Sequence, residues 1–224
     1  MTNEVKKAII TGASNGIGRF LTEKLLNEGI QVIAVTRSGT IENFTHPNLT
    51  IVQGDISDEA SINRAIAQIG QTASQVDYLI NNAGVGPDLG QVLPTAEHLN
   101  TSFAVNTTGT VLFTEAALPY LKEGAHVVFL STAMALIRNA APDGPAYRMS
   151  KAALNVYAVM LAQRLEEKNI KVTPLHPGWV QTRMGGESAP VTIEQSVNGI
   201  YKALTENTET GKFWNVNIDG LEEY

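Results

Sequence analysis

A tyrosine and a lysine four residues apart, Tyr147 and Lys151, are the pair best suited to proton transfer in this 224-residue chain. They fall in a segment rich in Ala and Leu, where side chains at i and i+4 project from one face of a helix. At about 5 Å and an effective dielectric near 20, an ammonium would stabilise a phenolate by about 3 kcal/mol. We therefore expect Lys151 to lower the pKa of Tyr147 from about 10 toward about 8, where phenol proton transfer is efficient. The ordinary alternative is a core tyrosine beside a solvated lysine.

Other polar side chains stand where apolar runs end. Ser131 follows the run His126 to Leu130, so its hydroxyl would emerge at the carboxyl edge of a sheet and could hydrogen-bond a substrate carbonyl. The sequence Asn81-Asn82-Ala83-Gly84 ends an earlier run. Asn106 lies inside a long helical pattern, where asparagine is mildly unfavourable because its amide competes for backbone hydrogen bonds. Asn106 is therefore either a solvated surface residue or a residue with a local role.

The segment Thr11 to Gly18 reads Thr-Gly-Ala-Ser-Asn-Gly-Ile-Gly, after the apolar run Val5 to Ile10 and before a helical pattern. Gly12 would permit a sharp turn, Gly16 would clear a path for a pyrophosphate, and Gly18 would let the helix pack closely. The helix N-terminus would add unpaired N–H groups and a positive dipole end. This layout predicts a dinucleotide-phosphate site, with a plain tight turn as the alternative.

Strand-like and helical patterns alternate along the chain. The predicted strands are Lys7 to Thr11, Gln31 to Thr36, Leu49 to Gly54, Asp77 to Asn81, His126 to Ser131, Lys171 to His176 and Lys212 to Val216. The predicted helices are Ile17 to Glu28, Asp58 to Ile69, Thr95 to Leu121, Ala146 to Lys168 and Thr192 to Leu204, with Gly29 at a helix stop. The alternation predicts an α/β fold with helices on both faces of a doubly wound parallel sheet of seven strands, in one domain over residues 1–224.

Three segments rich in Gly and Pro each follow a predicted strand. Ligands bind outside the carboxyl ends of the strands in such a sheet, so these segments are placed to form the walls of a site. They are Gly84 to Pro94, Asn139 to Pro145 and Pro177 to Pro190.

Composition excludes several classes of function. There is no cysteine, so disulfides, thiolate nucleophiles and cysteine-ligated metals are excluded, and the four histidines lack metal-ligand spacing. A net charge of −6 spread along the chain argues against a nucleic-acid partner. Residues 1 to 6 are polar and no apolar run is long enough to span a membrane, so we expect a cytoplasmic protein without a membrane partner.

Taken in order, these motifs resemble the short-chain dehydrogenase/reductase family over essentially the whole chain, with its single-domain Rossmann fold in the strand order 3-2-1-4-5-6-7. The finer resemblance is to the small carbonyl-reductase branch that includes the C-factor and Sniffer proteins. The motifs that carry the resemblance are Thr11 to Gly18, Asn81 to Gly84, Val105 to Gly109 with Asn106, Ser131, Tyr147 to Lys151 and Pro177 to Thr182.

The resemblance implies an enzyme that reduces an aldehyde or ketone with a nicotinamide cofactor. Tyr147 would be the general acid, Ser131 would hold the carbonyl oxygen, and Lys151 would bind the nicotinamide ribose and lower the pKa of the phenol. Asn106 would hold a water that links Lys151 to solvent. The implied cofactor contacts are Gly12, Ser14, Asn15, Gly16, Ile17, Gly18, Asp55, Ile56, Asn82, Ala83, Gly84, Tyr147, Lys151, Pro177, Gly178, Val180 and Thr182.

The end of the second predicted strand should select the cofactor. An acidic residue there would bind a ribose hydroxyl, whereas this chain has Thr36-Arg37-Ser38, and a guanidinium suits a 2′-phosphate. We therefore expect NADP(H), with a solvated strand-end Arg37 as the alternative. Some relatives that bind the 2′-phosphate carry a basic residue at the position of Asn15. Because Asn15 has no charge, Arg37 would bind the 2′-phosphate without a second cation from this turn.

One spacing departs from the family. Ser131 and Tyr147 are sixteen residues apart, a few more than is common, and the extra residues form a longer loop over Arg138 to Pro145 that should shape the substrate cleft.

By resemblance, the helices Thr95 to Leu121 and Ala146 to Lys168 would form the interface of a homodimer or homotetramer, although some small reductases are monomers. The alternative functions are an NADP(H)-binding regulatory module with little catalysis and an epimerase or dehydratase, for whose separate substrate region this chain has no room.

Overall fold

The computed structural model describes residues 5–224, so the prediction drawn from residues 1 to 6 lies mostly outside the described part. One sheet of eight strands runs through the molecule in the order β3-β2-β1-β4-β5-β6-β7-β8. The strands are β1 Lys7–Thr11, β2 Gln31–Thr36, β3 Leu49–Gln53, β4 Val76–Asn81, β5 Leu121–Leu130, β6 Lys171–His176, β7 Phe213–Asn215 and β8 Gly220–Glu222.

The α-helices are α1 Gly16–Asn27, α2 Glu59–Thr72, α3 Ala96–Phe103, α4 Thr110–Ala117, α5 Pro145–Arg164 and α6 Ile193–Glu206. A π-helix spans Ala104–Gly109, and short 3₁₀ helices are Leu118–Tyr120, Ala133–Ala135, Ile137–Asn139, Glu166–Lys168 and Val216–Ile218. The first seven strands pair in parallel, which confirms the predicted doubly wound fold and strand order. The eighth strand, antiparallel to β7, was not predicted.

Adjacent residues on the central strands face opposite layers of helices, which explains why these strands are apolar on both faces. Ile9, Leu79 and Phe129 pack in the core under α2, α4 and α5. Their neighbours Ile10 and Ile80 pack in the core under α1 and α6. Helices thereby cover both faces of the sheet. The place left for a ligand is outside the carboxyl ends of the parallel strands.

The predicted helix Thr95 to Leu121 is wrong as a single element. It divides into α3, the π-helix, α4 and a 3₁₀ turn, and Leu121 already begins β5. Pro119 lies in that 3₁₀ turn, and proline cannot donate the amide hydrogen that a continuing helix needs. The predicted stop at Gly29 is confirmed by a φ of 78° and a backbone hydrogen bond to the Leu26 carbonyl at 3.0 Å.

Candidate active site

The glycine turn after β1 is locked by the loop after β4. Asn82 Nδ2 donates to the carbonyls of Thr11 at 2.8 Å and of Gly12 at 3.0 Å. Gly12 has a φ of 69°, and a Cβ there would lie 2.8 Å from the Cα of Ala83. A Cβ on Gly18 would lie 2.3 Å from Asn82 Nδ2. Both of the bonds that the Asn82 side-chain amide makes support the turn. The predicted contact of Asn82 with the cofactor stays a prediction.

The start of α1 is open to an anion. Asn15 stands at the N-cap but makes no side-chain hydrogen bond to the helix, and the first turn has no acidic residue. Its Nδ2 instead donates to the Ser14 hydroxyl at 3.3 Å. Gly16, with a φ of 54°, begins the helix, and a Cβ there would meet only Thr182, at 3.7 Å. Because a helix N-terminus without a capping group presents free N–H donors and positive charge, this turn fits a phosphate. Ile17, the second residue of α1, is half-buried.

The loop after β6 lies beside that turn, as the contact of Gly16 with Thr182 shows. Its first residue, Pro177, is buried, and its carbonyl accepts a hydrogen bond from Ser196 Oγ at 2.7 Å. Gly178 has a φ of 91°, which permits the turn away from the sheet. Val180 is buried and forms an isolated β-bridge with Val191, which fixes the rest of the loop.

The ends of β2 and β3 lie side by side, with Thr36 paired to Gln53. Arg37 follows β2 and is exposed, and within residues 5–224 no carboxylate forms an ion pair with it. Asp55 accepts hydrogen bonds from the Ser57 amide at 2.9 Å and hydroxyl at 2.6 Å. The Ser57 hydroxyl is the main reason that the pKa of Asp55 lies below its usual value, with a smaller contribution from the charge of Arg37. Ile56, the next residue, is buried.

Tyr147 and Lys151 face inward from α5, one turn apart, as predicted, and both are buried. Burial raises the pKa of Tyr147 to about 12, and a hydrogen bond with Thr132 opposes this only in part. Burial also lowers the pKa of Lys151 to about 8. The predicted fall of the phenol pKa toward 8 is therefore wrong in this structure. The ammonium points elsewhere, since Lys151 Nζ donates to the Leu130 carbonyl at 2.7 Å, and desolvation of the phenol prevails.

Asn106 lies in the π-helix, a wide turn that often marks functional positions. Its Oδ1 accepts from the Val85 amide at 2.8 Å, and its Nδ2 donates to the Val85 carbonyl at 2.8 Å and to Ser150 Oγ at 3.0 Å. A Cβ on Gly84 would lie 3.2 Å from Lys151 Nζ and 3.3 Å from Asn106 Oδ1. The absence of a side chain at Gly84 therefore leaves space beside both groups, and Asn106 ties the loop after β4 to α5.

Two hydroxyls follow each other at the end of β5. Ser131, predicted from the sequence, is buried, and its hydroxyl donates to Asn155 Oδ1 at 2.6 Å. Thr132, the next residue, was not predicted, and its Oγ1 accepts from the Met134 amide at 3.2 Å. Asn155 was missed as well, although its spacing of four residues from Lys151 places it on the same face of α5. Its Nδ2 is buried without a hydrogen-bond partner among the described residues.

Asp88 is a further residue that the sequence analysis missed. Its carboxylate is fully buried and accepts from the backbone amides of Ala146 at 2.6 Å and Tyr147 at 3.1 Å. The N-cap residue of α5 is Gly144, with a φ of 61° and no side chain to cap the helix. Asp88 thus caps the helix from 58 residues away in the chain, and no local sequence signal indicates this contact.

The longer loop over Arg138 to Pro145 does not pull Ser131 off the strand, because the Ser131 amide still bonds the Leu175 carbonyl at 2.7 Å. Arg148, on the first turn of α5, orders the loop. Its guanidinium donates to the carbonyl of Asp143 at 2.6 Å, to the carboxylate of Asp143 at 2.9 Å and to the carbonyl of Met134 at 3.1 Å.

Comparison with known proteins identifies the class. The model of the short chain dehydrogenase family matches residues 6–191. The chain therefore belongs to the short-chain dehydrogenase family of oxidoreductases, as the sequence motifs indicated. A Sinorhizobium fredii protein described as an uncharacterized short-chain type dehydrogenase/reductase is 34% identical over 185 residues. That match covers 80% of this chain and 33% of the relative, so the chain spans about a third of that relative's length.

Two solved structures show the resemblance to the carbonyl-reductase branch. The NADPH-bound carbonyl reductase from chicken fatty liver is 30% identical, with a TM-score of 0.90, over 99% of this chain and 100% of that one. The carbonyl reductase Sniffer of Drosophila melanogaster is 28% identical, with a TM-score of 0.87, over 97% and 98% of the two chains. Among residues 5–224, no helix is both long and apolar enough to cross a membrane.

Proposed function

We propose that this protein is an NADP(H)-dependent oxidoreductase that reduces the carbonyl of an aldehyde or ketone to an alcohol, with Tyr147 as the general acid. The observation that carries the proposal is the placement of four groups near one another. A buried phenol and a buried amine lie on the first turns of α5, and two hydroxyls follow the carboxyl end of β5. The uncapped start of α1 adds a turn that fits a phosphate. The similarity to the chicken and Drosophila carbonyl reductases supports it.

We propose the cofactor contacts from the family motifs, and the uncapped start of α1 supports the first of them. The amides of the turn from Ser14 to Ile17 would bind the pyrophosphate, because the start of α1 has no capping group of its own. Asp55 and Ile56 would contact the adenine, and the loop from Pro177 to Thr182 would hold the carboxamide. Lys151 would bind the nicotinamide ribose. When bound, NADPH supplies the hydride that the reaction needs.

Tyr147 would deliver the proton. With a pKa of about 12 the phenol carries its proton at neutral pH and is ready to donate it to the carbonyl oxygen. The hydroxyls at the end of β5 would hold that oxygen, and Lys151, whose pKa is about 8, remains mostly an ammonium at pH 7. The nearby Lys151 and the water that we propose for Asn106 would return a proton to Tyr147 after each turnover.

The cleft would take a small, largely apolar carbonyl compound. Leu89 and Met134 lie within 4 Å of the position that a Cβ on Gly144 would occupy, at the start of the catalytic helix. Trp179, in the loop after β6, is 55% exposed. These side chains offer no charge to a polar substrate, so we expect aldehydes and ketones with apolar substituents to be preferred.

We also propose a homodimer or homotetramer that buries the outer faces of α4 and α5. Large apolar side chains are exposed there: Leu112, Met149, Val156 and Met160. Monomers seldom leave several such side chains exposed on one face. Sedimentation equilibrium at micromolar concentration should give a multiple of the 24.1 kDa chain mass, and a monomer would contradict this assembly.

The first test of the function is Tyr147→Phe, which keeps the ring and removes only the acidic hydroxyl. NADPH oxidation with a panel of aldehydes, quinones and ketones should fall by about 1,000-fold, the contribution typical of a positioned general acid. NADPH binding, followed by its fluorescence, should stay within about threefold of the unaltered protein, a difference worth well under 1 kcal/mol.

Tyr157→Phe is the matched control, because it makes the same chemical change on the same helix, at a hydroxyl that donates to Glu115 at 2.7 Å. It should retain turnover. Unchanged turnover in Tyr147→Phe would refute the assignment of the acid, and no turnover of any carbonyl by the unaltered protein would refute the function.

A further inference from the structure

The C-terminal hairpin, formed by β7, β8 and the 3₁₀ turn between them, contacts the loop after β5 and the loop after β6. We propose that this hairpin sets the width of the substrate cleft, and that Glu222 and Arg138 are the positioning residues through which it favours unbranched over ring-bearing carbonyl compounds. The inference rests on the proposed function, which places the substrate between these two loops, and it deepens that function by naming the substrates that fit.

The middle of the loop after β5 is held by polar contacts. Residues 137–142 are all exposed, so apolar packing does not fix this part of the chain. Arg148 holds the end of the loop nearer to α5. The other contact is made by Arg138, whose guanidinium donates to the carbonyl of Glu223 and pairs with the carboxylate of Glu222. The C-terminal segment therefore determines how far the middle of this loop lies from the sheet.

Glu222 is itself fixed in place. It pairs with Phe213 where β8 runs antiparallel to β7, and its Oε2 accepts a hydrogen bond from Asn215 Nδ2 at 2.7 Å. The side chain of Glu222 is 19% exposed and that of Arg138 is 39% exposed. A charge-assisted contact with one partner largely buried and already held by a hydrogen bond costs less entropy than a pair of free surface chains. Glu222 thus gives the loop a rigid point of attachment.

The same hairpin supports the loop after β6. The other atom of the Asn215 amide, Oδ1, accepts from the backbone amide of Asn217 at 2.9 Å. Asn217 lies against Gly178, since a Cβ on Gly178 would be 2.9 Å from Asn217 Oδ1. Asn215 is only 7% exposed, and its strand pairs with β6 at His176. One buried amide therefore joins the contact with each loop, and moving the two loops apart would break a bond in this chain of contacts.

A cleft of fixed width selects substrates by their cross-section. A loop that is already ordered has lost the conformational freedom that substrate binding would otherwise remove, so a compound that fits between the loops binds more tightly. Unbranched chains fit between walls held close together, whereas ring systems need the walls to separate. Because the bonds of the Arg138 guanidinium go to the C-terminal segment and not to the proposed acid, their loss should raise KM and leave kcat nearly unchanged.

The test measures kcat and KM for Arg138→Gln, Glu222→Gln and the double variant, with the unbranched and the ring-bearing members of the carbonyl panel. Glutamine at 222 keeps the shape of the side chain and an acceptor for Asn215. Each single variant should raise the KM of unbranched substrates by about tenfold, with kcat and the NADPH dissociation constant within about threefold. The double variant should lose no more than either single one, because both remove the same contact. The KM of ring-bearing substrates should rise less.

Lys202→Gln is the matched control, because it removes an exposed ion pair of the same hairpin, with Asp219, and should leave every KM unchanged. An unchanged KM in Arg138→Gln would overturn the inference and leave the proposed function standing. Effects that multiply to about 100-fold in the double variant would also overturn it, because the two residues would then act independently. An equal rise in KM for both substrate types would refute the control of cleft width.

The contact is also tested without catalysis, by hydrogen exchange of the backbone amides of the loop after β5. The amides of Leu136, Asn139 and Ala140, which bond carbonyls within the loop, should exchange about tenfold faster in Arg138→Gln and Glu222→Gln than in Lys202→Gln. Equal exchange in all variants would overturn the inference whatever the kinetics. Absence of turnover in the unaltered protein is a different failure, that of the proposed function.

Discussion

The two helices that begin at the candidate site, α1 and α5, do so in different ways. At α1 the N-cap residue Asn15 makes no bond to the helix, and the first turn has no acidic side chain. At α5 the N-cap residue is Gly144, and the buried carboxylate of Asp88 accepts from the first free amides. Neither helix has a side-chain cap from its own N-cap residue. Among the residues described, only the N-terminal amides of α5 are bonded by another part of the protein, the carboxylate of Asp88.

The difference follows from what each helix has to do. Unpaired amides and the dipole at a helix start attract negative charge, which a bound phosphate or a fixed carboxylate can supply. An open start such as that of α1 is suited to a ligand that comes and goes. A start closed by a fixed charge, such as that of α5, holds the residues that follow it in one position, and the second amide that Asp88 binds is that of Tyr147 itself. Three changes would break or sharpen this contrast.

The largest effect should come from placing a charge in the open start. Gly16→Asp puts a carboxylate where we propose that the pyrophosphate binds, and like charges should weaken NADPH binding by about 100-fold or more. Gly16→Asn is the matched control, because Asn has the same shape and also tolerates the positive φ of 54° at this position. The dissociation constants can be measured by fluorescence titration.

The same pair of variants separates binding from folding. A carboxylate in the first turn stabilises a helix by about 0.3–1 kcal/mol, so Gly16→Asp should unfold at slightly higher urea than Gly16→Asn. Weaker binding together with equal or higher stability is the expected combination. Equal NADPH affinity in the two variants would contradict phosphate binding at this turn.

The second effect comes from opening the closed start. Asp88→Ala leaves two buried amides without an acceptor, at a cost of about 3 kcal/mol in the free energy of unfolding. Asp88→Asn keeps one acceptor oxygen and should lose about half as much. Thr192→Ala is the comparison, because it removes the capping box of α6, whose loss typically costs about 1 kcal/mol.

Urea unfolding at pH 7 measures all three. We expect Asp88→Ala to be the least stable, since its amides are buried, whereas water can replace the exposed cap of α6. If Asp88→Ala lost no more than Thr192→Ala, the buried carboxylate would not be the group that holds the start of α5.

The fold could be predicted from the sequence because the information is local and repeated. The central strands β1, β2 and β4 are apolar on both faces, and the helices between the strands follow a helical pattern, so the order of elements defined the doubly wound sheet. The long helix Thr95 to Leu121 was wrong for two reasons: Pro119 interrupts it near its end, and the π-helix within it depends on tertiary contacts. Gly109 is the last residue of the π-helix, and a Cβ there would lie 1.7 Å from the Ile56 carbonyl.

The residue types of the candidate site could be predicted from the sequence, but the hydrogen-bond partners of these residues could not. Tyr147, Lys151 and Ser131 could be found by spacing and by position after a strand. Their contacts could not: Lys151 bonds a strand carbonyl, Ser131 bonds Asn155, and burial dominates the pKa of Tyr147. Asp88 acts across 58 residues of chain, and no local pattern points to it.

The smallest effect concerns the cofactor preference at the end of β2, which lies beside the open turn. Arg37 is exposed and has no carboxylate partner in residues 5–224, so it is available to pair with a 2′-phosphate. Arg37→Ala should raise the KM for NADPH by about tenfold, which corresponds to about 1.4 kcal/mol, and should leave the KM for NADH nearly unchanged. Arg64→Ala, at another exposed arginine, is the control for a general change of surface charge. Because a ribose without the phosphate gives Arg37 no charge to pair with, an equal rise for both cofactors would mean that Arg37 supports the end of β2 rather than the choice between NADPH and NADH.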